Sequence, residues 1–276
     1  MQARAIRGAE FVELAALFIL HGAALGMWFV PLSAVLDSHG LGGIKPFAYA
    51  TSAMAALLSP LIFGAMADRH ASPVRVLRGL AVATAGATAL AGASIQCGWD
   101  RWLVLALIQL NALCWAPTFS ITSSIAFSRL RDSEREFGPV RAMATIGWMA
   151  GCWLVSGMGA DASPMAGYGS SVGWLVLAAF TFFLPSVAPP KAAEGLTLRQ
   201  RMGWDALELL RHRDHRVVFV AGALFCVPIA AFYPFAPTHL RELGFMRTSA
   251  WMSLGQVTEI VAMFSLGALL PRLRRE

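Results

Sequence analysis

Apolar residues along this chain gather into eight long runs, at residues 11–36, 46–66, 74–97, 102–127, 140–159, 172–187, 217–240 and 249–270. Most are close to the roughly 20 residues that an α-helix needs to cross a bilayer. The first is far longer than the roughly 7–15 apolar residues of a cleavable signal peptide, so it predicts a true span. Short turns separate the runs, one of them the Gly-rich segment 37–45 and others carrying Gly98-Trp99-Asp100, residues 129–138 and residues 161–171. The longest polar stretch, 188–215, opens with Pro189-Pro190 and is rich in both signs of charge. Within it Thr197-x-x-Gln200 reads as a capping box, and Leu198, Met202, Ala206, Leu209 and Leu210 recur at helical spacing. This predicts an amphipathic helix on the cytoplasmic surface, with the charge run 211–216 as its solvated end.

Composition narrows the class without changing it. Of the 276 residues 57% are hydrophobic and 14% charged, outside the balance of a soluble domain. The chain therefore reads as an all-α polytopic membrane protein. A net charge of +6 would point to nucleic acid in a soluble protein, but here its distribution encodes topology. With residue 1 inside, all but four of the 22 Lys and Arg residues fall on cytoplasmic segments or their flanks, the exceptions being Lys45, Arg101, Arg241 and Arg247. Both termini are thus expected in the cytoplasm, with the lipid bilayer as the surrounding partner and no nucleic acid. Trp99, Trp102 and Trp174 near span ends suit an aromatic belt. Cys97, Cys114, Cys152 and Cys226 stand apart with no C-x-x-C spacing, so neither a disulfide framework nor a metal site is expected, and no cofactor is called for.

The candidate chemistry lies in polar residues that interrupt apolar runs. Arg141 is carried into the fifth span, where a charge costs at least about 2.5–3.5 kcal/mol. A snorkelling anchor at the cytoplasmic face is one reading. Thr145 at i+4 and Trp148 at i+7 share its face, however, and a cation, a hydroxyl and an aromatic plate together resemble a ligand wall. In the first span Glu13 lies near the entry and His21 two turns deeper. A lone buried His is either hydrogen-bonded to a neighbouring helix or a proton carrier. The fourth span carries Gln109, Asn111, Thr118, Ser120, Thr122, Ser123 and Ser124 among Trp115 and Pro117, which predicts a helix facing the bundle interior or a wet cavity, with a kink at Pro117. Gly147-x-x-x-Gly151 predicts close helix packing. The seventh span, interrupted by Pro228, Pro234 and Pro237 around Phe232, Tyr233 and Phe235, predicts a broken gating or binding element. In the eighth, Gln256 and Glu259 are one turn apart, and Glu259 is the deepest carboxyl in the chain. It is either a proton-coupling group or a permanently neutral one bonded to a neighbouring helix.

Three stretches carry a family resemblance. After the second span, Gly64-Ala65-Met66-Ala67-Asp68-Arg69-His70 with Arg75 resembles the loop between the second and third helices of the major facilitator superfamily, with Ala71 in place of the second Gly and the basic pair reduced to Arg75 and Arg78. Asn111 to Thr118 leads through Phe127-Ser-Arg129-Leu130 to Gly138-Pro-Val-Arg141-Ala-Met-Ala-Thr145-Ile-Gly147. Gly203-Trp-Asp205-Ala-Leu207 and Gln256-Val-Thr-Glu259 follow. Together these are similar to the nucleoside:proton symporter family within that superfamily.

The resemblance implies a six-helix N-terminal bundle over 1–187, a cytoplasmic linker over 188–215 and the first two helices of a second bundle over 216–276, in a bacterial cytoplasmic membrane. It implies a proton-coupled transporter of nucleosides or a similar small polar solute. Arg141, Thr145, Trp148 and Gln256 would bind substrate, Glu259 would couple protons, and Gly64, Asp68 and Arg69 would form the conformational loop; from the residues themselves Tyr233 joins the substrate-binding candidates and His21 the proton-coupling ones. Two departures alter the expectation. Ala230 and Tyr233 replace polar side chains of the seventh span, so base specificity is expected to differ. The family has twelve helices where eight are read here, so a truncated frame or fragment is expected, and a non-transporting remnant or accessory protein is the competing reading. An intramembrane enzyme is disfavoured, since no H-E-x-x-H or G-x-S-x-G is present.

Overall fold

The computed structural model describes residues 8–67, 72–185 and 204–273. They form α1 (Gly8–Phe29), α2 (Leu32–Ser38), α3 (Lys45–Ala67), α4 (Pro73–Gln96), α5 (Arg101–Phe127), α6 (Ser133–Gly157), α7 (Met165–Phe180), a 3₁₀ segment at Trp204–Arg211, α8 (Arg213–Glu242), α9 (Thr248–Ser253) and α10 (Gln256–Leu273). The fold is all-α, and no strand occurs among the described residues. Four stretches, Gly8–Ser38, Pro73–Gln96, Arg101–Phe127 and Arg213–Glu242, combine the length and hydropathy of a bilayer crossing, and Met165–Phe180 is a shorter apolar helix.

Several boundaries differ from the apolar runs. The run at 11–36 is two helices that part at Val30–Pro31, where the proline has no N–H to donate. The run at 249–270 is broken at Leu254–Gly255, so that Gln256 opens a new helix. Conversely, α6 starts seven residues before the apolar run does, capped by the Asp132 side chain, which accepts from the Arg135 N–H at 3.3 Å. Residues 165–171, read as turn because they are small and polar, belong to α7 and serve packing. The Ser170 hydroxyl donates to the Ala24 carbonyl at 2.6 Å, and a side chain at Gly167 would meet the Trp28 ring. The expected break in the seventh span does not occur, since α8 runs unbroken through Pro228, Pro234 and Pro237. Nor are residues 213–216 the end of a surface helix. His212 is extended, and Arg213 begins α8. The capping box at 197–200, Leu198 and Met202 lie outside the described residues, as do Asp68 and Arg69.

Helix α1 is the centre of the bundle, packed between α6 and α7, while α4 lies against α5 and α7 and α3 against α5. Between α1 and α6 the contact is a double small-residue seam. A β-carbon at Gly22 would strike the Ala144 carbonyl, at Gly26 the Trp148 carbonyl, at Gly147 that of Ile19 and at Gly151 that of Ala23. Gly22-x-x-x-Gly26 and Gly147-x-x-x-Gly151 thus interlock, letting two backbones touch where lipid offers no hydrophobic drive for association. We expect Gly147→Ala to lower stability by about 1–3 kcal/mol, the usual consequence of overpacking against atoms that cannot move aside. Gly157→Ala, whose β-carbon meets nothing within 4 Å, should not. Thermal unfolding of the detergent-solubilised protein compares them, and equal midpoints would overturn the seam.

The later helices join this bundle along α6, which both α9 and α10 pack against, and at the end formed by α2 and the start of α3. There Lys45 Nζ donates to Asp37 Oδ2 at 2.8 Å and to Thr238 Oγ1 at 3.0 Å, and the Thr238 hydroxyl donates to the same Asp37 oxygen at 2.8 Å. Asp161 Oδ1 accepts from the Ser156 hydroxyl at 2.9 Å and from the Ser249 N–H at 2.7 Å, and Trp153 Nε1 donates to Ser253 at 2.9 Å. Lys45 and Asp161 are both buried, so each charge needs these partners. Toward the other end α8 has no such cover, and residues 213–232 are exposed.

Candidate substrate cavity

Five helices converge on one open-mouthed cavity of about 160 Å³. Helix α1 contributes Gly22 and Leu25, α5 contributes Phe119, and α6 contributes Arg141, Ala144, Thr145 and Trp148. Tyr233 comes from α8, and Gln256 and Glu259 come from α10. The interlocking glycines explain part of the shape. Gly147 lies between Thr145 and Trp148 in α6, so the close contact with α1 falls beside two residues that line the cavity.

Arg141 lies eight residues beyond Ser133, more than two turns into α6, because that helix begins before its apolar run. Its guanidinium makes no hydrogen bond or ion pair with any described residue. Thr145 is buried, and its hydroxyl donates to Glu259 Oε1 at 3.1 Å. Glu259 and Gln256 occupy the first turn of α10, created by the break at Leu254–Gly255, where unpaired helix N–H groups favour negative charge. A cation and a carboxyl therefore share one cavity without closing on each other. Trp148 and Tyr233 lie ring to ring at 6.2 Å, and Phe29 packs on both, at 5.7 and 5.1 Å. The combination of an unpartnered guanidinium, other polar groups and aromatic faces suits a flat solute with a hydrogen-bonding edge.

Six candidates named from sequence, Arg141, Thr145, Trp148, Tyr233, Gln256 and Glu259, thus meet at one place. His21 does not line it. Its Nε2 lies 2.7 Å from Thr118 Oγ1, and its ring is buried between Phe119 and Trp174. Gly64 falls within α3. Phe119 was missed by sequence reading, although its place among Trp115, Thr118 and Ser120 in the unusually polar span was a usable signal. Most polar groups of α5 are otherwise occupied: Asn111 Nδ2 donates to Thr88 at 2.6 Å, and Ser120 and Ser124 donate to carbonyls of their own helix.

Comparison with known proteins agrees with this architecture. YegT of Escherichia coli, provisionally named a nucleoside transporter, is 38% identical over 252 residues, covering 87% of this chain and 57% of that protein. Xanthosine permease of Escherichia coli is 25% identical over 71% of this chain and 47% of its own length. Nucleoside permease NupG of Escherichia coli is 22% identical over 95% of this chain and 65% of its own. The chain thus spans roughly half to two-thirds of the length of these relatives. A crystal structure of nucleoside transporter NupG in a mutant form superposes with a TM-score of 0.82 at 22% identity, covering 95% of this chain and 68% of that one, and so shares the fold. The family model described as Nucleoside H+ symporter matches residues 10–275, and the chain belongs to that family.

Proposed function

We propose that this chain carries nucleosides across a bacterial cytoplasmic membrane together with protons, by alternating access, with Arg141, Thr145, Trp148, Tyr233 and Gln256 holding the substrate and Glu259 the coupled proton. The observation that carries the reading is an arginine and a glutamate facing one cavity without pairing, beside aromatic rings. An intramembrane charge without a protein partner is costly, and a bound polar solute would supply the missing bonds. A nucleoside suits such a lining, with an aromatic base for Trp148 and Tyr233 and hydroxyls and base edges for Arg141, Thr145 and Gln256. A cavity lined by α1, α5 and α6 on one side and by α8 and α10 on the other supports a division into a six-helix unit over 1–187, a linker over 188–215 and a second unit from 216, rocking about the cavity. Gly64 within α3, with Asp68 and Arg69 beyond it, would form the conformational motif.

Purified protein in proteoliposomes should accumulate labelled nucleosides when the outside is acidic, and a protonophore should collapse the accumulation. Uptake that ignores the proton gradient would overturn the coupling. The distribution of basic residues supports cytoplasmic termini, which predicts that a cysteine at position 42 reacts with an impermeant reagent in intact cells and one at 193 does not. The reverse pattern would sink the orientation.

A further inference from the structure

We propose that Phe119 is a specificity-determining wall of the cavity, reading the face of the base, and that His21 is its positioning residue. This rests on the nucleoside reading above. Of the cavity-lining residues Phe119 alone comes from α5, so that side of the site offers a flat apolar ring and no hydrogen-bonding group. Such a surface senses the size and planarity of a base and is indifferent to its polar edge.

The ring is held from behind. His21 stands perpendicular to it at 4.9 Å and perpendicular to Trp174 at 5.5 Å, while Trp115 packs on Phe119 at 5.9 Å. An apolar side chain would fill the same space, so the imidazole must supply something more. The Thr118 hydroxyl donates its single proton to the Trp115 carbonyl at 2.5 Å. Toward His21 it can therefore only accept, which makes His21 Nε2 the donor across the 2.7 Å contact. That bond fixes the rotation of the imidazole and ties α1 to α5 beside Phe119. The imidazole then sets the angle at which Phe119 meets a ligand. On this assignment His21 carries no transported proton; its Nε2 proton stays on the ring, donated to Thr118 Oγ1.

The test uses transport kinetics of Phe119→Leu, His21→Gln and the double variant in proteoliposomes, with a purine and a pyrimidine nucleoside. Gln keeps an N–H donor for Thr118 but removes the ring. Phe119→Leu should raise KM about tenfold, unequally for the two nucleosides, with Vmax within about twofold, as loss of base stacking predicts. His21→Gln should raise KM about three- to fivefold, and the double variant should be no worse than Phe119→Leu, because one residue acts through the other. The pH profile of His21→Gln should match wild type. Phe119→Tyr should restore KM, and Thr118→Val, which leaves the His21 ring in place, should mimic His21→Gln should that variant not fold. Additive effects, an unchanged KM in Phe119→Leu, or a shifted pH profile or lost proton-driven accumulation in His21→Gln would each overturn the proposal. If wild type fails to bind nucleosides, measured as quenching of tryptophan fluorescence, the nucleoside reading itself fails. If wild type binds them and the variants are unaltered, only this inference does.

Discussion

Glu259→Gln is expected to abolish proton-driven accumulation of nucleoside while leaving exchange of nucleoside across the membrane largely intact. The substitution keeps the length of the side chain and a carbonyl oxygen where Oε1 now accepts the Thr145 hydroxyl at 3.1 Å, so the cavity keeps its shape. What it removes is the ability to take up and release a proton. The setting makes this group responsive. It sits in the first turn of a helix that starts inside the bundle, and Arg141 faces the same space. Broken helices at the middle of the membrane are where secondary transporters place coupling ions. Counterflow and pH-driven uptake, measured on the same vesicles, separate the two functions. Accumulation against a gradient with the usual pH dependence in Glu259→Gln would refute the role.

Arg141→Lys should reduce uptake at least tenfold with expression near that of wild type. Both residues carry the charge, and either would serve as an anchor reaching the lipid headgroups. They differ in geometry, since a guanidinium offers a planar fork of donors and an ammonium does not. Losing one hydrogen bond from a charged group costs about 1.5–3 kcal/mol, which corresponds to roughly ten- to a hundredfold in binding. The position of Arg141 favours the larger effect. It lies more than two turns inside α6, lines the cavity and has no hydrogen-bonding partner among the described residues, so its donors are available to a solute. Unchanged uptake in the Lys variant would restore the anchor.

Helical character was legible because lipid imposes it. A backbone in hydrocarbon must satisfy its own hydrogen bonds, so a long apolar run is a helix whatever surrounds it. The intruding polar groups were legible for the same reason, as each is costly enough to need a purpose, and Arg141, Thr145 and Glu259 were found that way. Gly147-x-x-x-Gly151 likewise announced a close contact. Boundaries were less legible. Hydropathy measures what a residue prefers to be near and not where a helix starts, so α6 was entered late and small polar residues of α7 were taken for a turn. The prolines of α8 and the single Pro31 have identical local effects, yet only Pro31 ends a helix.

By itself the sequence determined the number of apolar elements, the residues that cannot rest in lipid without partners and, through its basic residues, an expected orientation. Only the tertiary structure decided which faces meet. Gly22 and Gly26 had to interlock with Gly147 and Gly151 before α6 could turn Arg141 and Thr145 into a cavity. The break at Gly255 had to fall one residue before Gln256 for Glu259 to reach Thr145. His21 and Phe119 acquired their places from Thr118 and Trp174, which are 97 residues and more than 150 residues along the chain from His21. Periodicity within one helix reports that a face is buried. It carries no information about which distant helix buries it, because that choice is made by the fit of backbones and side chains across the whole bundle.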